Sequence, residues 1–152
     1  VKDNKVLPSL VHHCKNLNFV DQKWIKEVSR EYVAKLRVKT PSIDASVQNL
    51  SGGNQQKVVL GKWLIANSKI LILDEPTRGI DVNAKTEFYS LMNDFVASGG
   101  CIVMVSSELP EVLGVADRIL VMREGRISGE LSREKASEQA IIQLASHTSD
   151  MG

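Results

Sequence analysis

The sequence predicts an α/β fold in which a parallel sheet with flanking helices is joined to a small helical subdomain. Two observations carry that prediction. Three short apolar runs, Ile70–Leu73, Cys101–Val105 and Ile119–Met122, alternate with segments of helical periodicity, and strand, helix, strand with short links builds a parallel sheet with right-handed crossovers. Residues 1 to about 47 differ, their clearest pattern being one amphipathic helix. The expected layout is a helical subdomain at 1–47, an α/β core at 48–148 and a polar tail at 149–152.

Each element has its own reason. From Asp21 to Arg37, the residues Trp24, Ile25, Val28, Tyr32, Val33 and Leu36 fall at i, i+3, i+4 spacing, with charges on the other face. Thr40-Pro41-Ser42 ends that segment, because a residue before proline is pushed out of helical geometry. Asn54 to Ala66 follows Ser51-Gly52-Gly53 as a second helix. Ile70–Leu73 is a continuous apolar run, the expected mark of a strand covered on both faces. Asp81 caps a helix reaching Val96, with Phe88, Leu91, Met92, Phe95 and Val96 on one side. Gly99-Gly100 stops it in left-handed conformations, and Cys101–Val105 and Ile119–Met122 are the next strands. Glu124-Gly125 turns the chain into Arg126-Ile127-Ser128. A last helix is expected at about Glu134 to Ala145, before a tail that frays.

Composition narrows the function classes. A hydrophobic fraction of 43% supports a buried core. A net charge of +1, from 19 basic and 18 acidic residues, gives no support to a nucleic-acid surface. The two cysteines, Cys14 and Cys101, match no metal spacing, and Cys101 is expected to be a reduced, buried thiol of a cytosolic protein. No apolar stretch approaches the roughly 20 residues that span a bilayer, and no signal peptide is evident. A membrane role then requires a partner.

Two segments carry chemistry. In Leu50-Ser51-Gly52-Gly53-Asn54-Gln55-Gln56, two glycines at a helix start let backbone N–H groups approach an anion closely, and Ser51 adds a hydroxyl. The plainer reading of that segment is a serine N-cap beside a flexible glycine pair. In Ile70-Leu71-Ile72-Leu73-Asp74-Glu75-Pro76, a strand delivers two acids to the carboxyl edge of a parallel sheet, where open α/β folds bind ligands. Asp74 suits the water shell of Mg²⁺, and Glu75 suits a general base acting on a water. The plainer reading there is a strand ending in solvated acids.

Order and spacing distinguish these readings. A serine–diglycine helix start, one helix, an apolar strand ending Asp-Glu-Pro-Thr, then Gly79-Ile80-Asp81 resembles the layout of ABC ATPases, which are P-loop NTPases. Leu50 to Gln56 resembles their signature motif, Ile70 to Glu75 their Walker B, and Gly79-Ile80-Asp81 their D-loop. The resemblance covers about residues 47 to 131. Leu-Ser-Gly-Gly-Asn-Gln-Gln-Lys, Asp-Glu-Pro-Thr-Arg-Gly-Ile-Asp-Val, Ser-Ser-Glu-Leu-Pro-Glu-Val-Leu-Gly and Arg37-Val38-Lys39-Thr40-Pro41 look like the second ATPase half of bacterial importers of ribose, galactose and related sugars. The resemblance implies a partial P-loop fold and an ATP- and Mg²⁺-dependent sugar-transporting ATPase. It implies Glu75 as catalytic base, Asp74 as the metal residue, and Ser51, Gly52, Gly53, Gln56, Asp81 and Ser107 as nucleotide-binding. It also implies membrane-spanning permease subunits and a first ATPase half of the same chain as partners, with no nucleic acid. The protein would sit peripherally on the cytoplasmic face of the bacterial inner membrane.

Two departures from the family pattern bear on activity. No Gly-x-x-x-x-Gly-Lys-Ser/Thr loop is present; Gly61-Lys62 is the one Gly-Lys pair, and Trp63 follows it. Without that loop nothing cradles the α- and β-phosphates, so the 152 residues alone are expected to be inactive and to resemble a fragment lacking Walker A. Its exposed strand edges are expected to self-associate. Second, Ser107 stands where these ATPases usually place a histidine, and serine supplies no imidazole contact to a γ-phosphate. His12, His13 and His147 are expected to be solvated side chains. Two other classes fit parts of the pattern. A soluble ABC ATPase of non-transport function would show a basic surface, and a non-catalytic partner-binding module would not need the Asp74-Glu75 pair.

Overall fold

Asp21 opens the first long helix by accepting backbone N–H bonds from Lys23 and Trp24 at 3.0 and 3.2 Å. In the computed structural model, residues 1–9, 14–15 and 19–146 are described, and they fall into two compact units, 1–105 and 106–152. The first unit holds α1 (Lys2–Val6), a minimal antiparallel pair β1 (Cys14–Lys15) and β2 (Phe19–Val20), α2 (Gln22–Lys35), α3 (Gly52–Ile65), β3 (Ile70–Asp74), α4 (Val82–Ala97) and β4 (Cys101–Val105). The second holds α5 (Leu109–Val115), β5 (Arg118–Arg123), β6 (Arg126–Ser132) and α6 (Glu138–Ser146).

In the first unit α3 is the shared wall of two apolar clusters. Val58 packs with Leu36, Val38 and Leu50, while Leu60 packs with Leu71, Phe88 and Met92. Leu64 and Leu91 touch both. The boundary expected near residue 47 therefore lies inside one compact unit. Gly61 lets α1 and α2 close on α3, since a Cβ there would lie 2.8 Å from Leu36 Cδ1 and 3.3 Å from Lys5 Nζ. Gly61-Lys62 thus serves helix packing.

β3 and β4 pair in parallel, Ile70 opposite Cys101 through Asp74 opposite Val105, with α4 as the crossover. Leu71 is buried, but Ile70 and Ile72 are 62% and 77% exposed, and Val103 and Val105 are more than half exposed. The strand expected to be covered on both faces is covered on one, by α3 and α4. Cys101, expected to be buried, is exposed on the open face. Of the two glycines that end α4, only Gly99 takes a left-handed φ, +93°. Gly100 is needed for another reason: a Cβ there would meet the Phe95 ring at 2.3 Å.

In the second unit, Ile119–Met122 is corrected from a further parallel strand to part of β5, whose partner among the described residues is β6, antiparallel. Glu124 and Gly125, at φ +48° and +77°, make the hairpin turn. Such a two-residue turn with both φ positive matches the twist of its strands. Ile119, Val121 and Ile141 form the core. The last helix starts at Glu138 rather than about Glu134, because Ser137 Oγ accepts from Ala140 N at 3.1 Å and caps it there. The expectations for His12, His13, His147 and the tail lie outside the described residues.

Lys5 is fully buried and its ammonium has no hydrogen-bond partner among the described residues. Burial pulls its pKa from 10.5 to about 8. Between those values the unfolded chain holds a proton that the folded chain does not, so stability rises with pH from about 8 to about 10.5. We expect Lys5→Met to raise stability at pH 7 by on the order of 2 kcal/mol and to flatten that rise, as urea unfolding at several pH values would show. The open face of β3 and β4 gives another expectation. These 152 residues self-associate at high concentration in sedimentation equilibrium, and Ile72→Lys, at an already exposed position, reverses it without loss of stability.

Candidate functional site

The chain enters α3 extended. Leu50 is buried, its carbonyl accepts from Gln55 Nε2 at 2.8 Å, and Ser51 sits at the N-cap position with φ −61° and ψ 154°. Ser51 does not cap the helix with its side chain. Its hydroxyl instead accepts from Asn54 Nδ2 at 2.7 Å, and Asn54 Oδ1 accepts from Lys39 N, also at 2.7 Å. The reading of this segment as an ordinary serine cap is thereby set aside. Among the described residues, the first-turn N–H groups of α3, a 14-residue helix, are left without a side-chain cap, and the positive end of its dipole adds to their pull on an anion.

At the end of β3, Asp74 is exposed and opposite Val105. Glu75 N–H donates to Val105 O at 2.9 Å, extending the strand pairing by one residue. Glu75 then takes φ +45°, a left-handed backbone that costs a non-glycine residue on the order of 1 kcal/mol and is typical of functional turns. This turns its half-buried side chain out of the strand's alternation, while Pro76 and Thr77 are buried behind it. Gly79, at φ +77°, completes the loop. Asp81 Oδ1 accepts from Ala84 N at 2.9 Å and caps α4.

These two segments meet. A Cβ on Gly53 would lie 2.6 Å from Ala84 Cβ, and one on Gly52 would lie 3.3 Å from Ile80 Cγ2. Between them is a polar cavity of about 120 Å³, lined by Lys39, Ser51, Asn54, Lys57, Asp81 and Glu87 among others. The buried Lys57 ammonium bonds the Glu87 carboxylate and, at 3.2 Å, the Arg37 carbonyl. That ammonium holds the Glu87 carboxyl below the ordinary carboxylate range. Gln56, half-buried, does not line the cavity.

Ser107 belongs to the second unit and is exposed. Beside it, Ser106 Oγ bonds the buried Glu111 carboxylate and accepts from Glu108 N at 3.1 Å, fixing the turn into α5. The sequence reading missed Asn54, Lys57, Glu87 and Lys39. A signal existed for Lys57, which shares the i, i+4, i+7 stripe of Gly53, Leu60 and Leu64, so a charged residue was set on the packed face.

Residues 2–78 match the family described as "ABC transporter". The chain belongs to the ABC transporter family. Among its relatives, a ribose import ATP-binding protein of Clostridium perfringens is 50% identical over 145 residues, covering 95% of this chain and 29% of that protein. One from Streptococcus agalactiae is 54% identical over the same shares. A xylose import ATP-binding protein of Moorella thermoacetica is 65% identical over 114 residues, 75% of this chain and 23% of that protein. The chain thus spans under a third of the length of these relatives. Among solved structures, a metal-chelate type ABC transporter in an inward-facing conformation superimposes with TM-score 0.79 at 17% identity, covering 94% of this chain and 56% of that one. An ATP-binding cassette of an ABC transporter does so with TM-score 0.77 at 21% identity, covering 94% and 61%. At those identities the likeness shows the fold, which is that of part of an ABC ATPase.

The contacts of the two glycines set an expectation of sign. Gly→Ala in the first turn of a helix ordinarily stabilises by a few tenths to about 1 kcal/mol. At Gly53 the new methyl would collide with Ala84, so Gly53→Ala should destabilise by about 1–3 kcal/mol. Gly52→Ala, meeting Ile80 Cγ2 at 3.3 Å and the Gly79 carbonyl oxygen at an ordinary 3.7 Å, should be near neutral. Chemical denaturation of both variants checks the difference.

Proposed function

We propose that this chain is the carboxy-terminal part of the ATP-binding subunit of a bacterial sugar importer, coupling ATP binding and hydrolysis to uptake of a monosaccharide of the ribose–xylose kind. One observation carries the reading: the start of α3 is uncapped and bears a serine hydroxyl, in a chain half identical to ribose import ATP-binding proteins. On this reading the γ-phosphate of an ATP held by the phosphate loop of another ATPase half meets Ser51, Gly52 and Gly53. The donors fit that group, being a hydroxyl and N–H groups without a side-chain cap at a helix start where Ser51 and Gly52 are exposed.

The acids at the end of β3 serve a second nucleotide. Asp74 would hold the water shell of Mg²⁺, whose chemistry there is to neutralise the β- and γ-phosphate charge. Glu75 orients and deprotonates the attacking water. Asp81 and the loop before it lie against the signature glycines, and by the family resemblance Gln56 belongs to the same nucleotide-binding segment. Ser107 occupies the place of a γ-phosphate-sensing histidine and offers no imidazole, so the site using Glu75 turns over poorly. Residues of the helical part, 1–47, dock on membrane-spanning permease subunits, placing the subunit peripherally on the cytoplasmic face of the inner membrane. Among the described residues no helix is long and apolar enough to cross a membrane.

The test compares Gly52→Asp with Glu75→Gln in the complete transporter. Gly52 is exposed and its substitution leaves the fold room to adjust, yet a carboxylate there repels phosphate. Gly52→Asp is expected to lower steady-state ATPase rate by on the order of 100-fold, as for loss of a charge-stabilising contact. Glu75→Gln is expected to lower it by no more than about half, since the other site retains its own base. A larger loss for Glu75→Gln overturns the assignment of the two sites.

A further inference from the structure

We infer that Asn54 is a positioning residue that sets the direction of the Ser51 hydroxyl, so that its hydrogen points outward to a phosphate oxygen. This rests on the proposed contact between Ser51 and phosphate, and goes beyond it by assigning what makes that hydroxyl a donor. The geometry decides the amide's orientation. A backbone N–H only donates, so Lys39 N, at 2.7 Å, fixes the amide oxygen toward itself. The amide NH₂ must then face Ser51 Oγ, at 2.7 Å, and donate to it. A hydroxyl carries one hydrogen and two lone pairs. With one lone pair engaged from within, the Ser51 hydrogen is directed away from Asn54. Ser51 is exposed and its oxygen accepts no capping bond from the first-turn N–H groups of α3, so the lone pair engaged by Asn54 is not traded for a cap. A hydroxyl free to rotate would present to an anion either its hydrogen or a repelling lone pair. Here the inward one of the three staggered positions is closed to the hydrogen before the ligand arrives, which lessens the reorganisation that an electrostatic contact requires.

The anchor of this relay is not local. Lys39 lies 15 residues before Asn54 in sequence, in the segment that leaves α2 and is tied to α3 a second time by Lys57 through the Arg37 carbonyl. The same backbone that fixes the amide is therefore itself held on α3.

Asn54→Asp tests the inference because it is isosteric and inverts one bond. A carboxylate still accepts from Lys39 N, but toward Ser51 it can only accept, so it draws the hydroxyl hydrogen inward. An acid in the first turn of a helix favours folding, so a structural role and a positioning role move in opposite directions. In the assembled transporter we expect Ser51→Ala to lower kcat/KM for ATP about 10- to 100-fold. Asn54→Asp is expected to lower it comparably while its unfolding midpoint stays level or rises. Adding Asn54→Asp to Ser51→Ala is then expected to change kcat/KM by less than about twofold, there being no hydroxyl to direct. Full activity of Asn54→Asp beside an impaired Ser51→Ala overturns the positioning role and leaves the Ser51 contact standing. An undiminished further loss in the double variant also overturns it, assigning the effect to charge alone. Full activity of Ser51→Ala overturns the Ser51 contact itself, and the inference with it.

Discussion

The ammonium of Lys57 is taken out of water between α3 and α4, and much of the first unit is arranged to satisfy it. Its side chain is 3% exposed, while that of its partner Glu87 is 43% exposed. A buried cation without partners would cost several kcal/mol, so the Arg37 carbonyl and the Glu87 carboxylate must both stay within reach. That requirement holds the end of α2, the middle of α3 and the second turn of α4 at fixed separations. The apolar clusters on either side of α3 then fill the remaining space, and Gly53 and Gly61 are the places where helices come too close for a side chain.

From that frame the two chemistry-bearing segments take their positions by different means. The start of α3 is placed by helix packing and by an extended entry at Ser51. The end of β3 is placed by parallel pairing with β4, which continues one residue beyond the strand and releases Glu75 into a left-handed turn. One segment offers donors and the other acids, and the short loop from Pro76 to Ile80 keeps them adjacent.

The helices α2, α3 and α4 and the strands β3, β4 and β5 were legible because each carries a strong local signal: the stripe of α2, the Asp81 cap, the glycines after α4 and the Glu124-Gly125 turn. Helices α1 and α5 and the short pair β1 and β2 carry none and were not. The candidate residues of the site were legible as motifs for the same reason. What was not legible depends on partners distant in sequence. An apolar run such as Ile70–Leu73 reads alike whether one face or both are covered, so the open face holding Ile72 and Cys101 could not be foreseen. One miss was local: α6 starts at Glu138 because Ser137 caps it, while Arg133–Lys135 forms a separate single turn before it. The bond from Asn54 to Ser51 looks like local turn chemistry, but its polarity is decided by Lys39. The Lys57–Glu87 pair spans 30 residues, beyond any window in which side-chain spacing can be read.

The contact of Gly53 with Ala84 has a mechanical consequence. With only 2.6 Å available to a Cβ there, no slack separates the first turn of α3 from the first turn of α4. Close-packed interiors transmit displacement rather than absorb it, so a push on either turn moves the other. The serine-bearing helix start and the loop after Glu75 therefore behave as one stiff jaw. Anything pressing on that jaw is registered by the donor segment and the acid segment at the same instant, without an intervening flexible hinge.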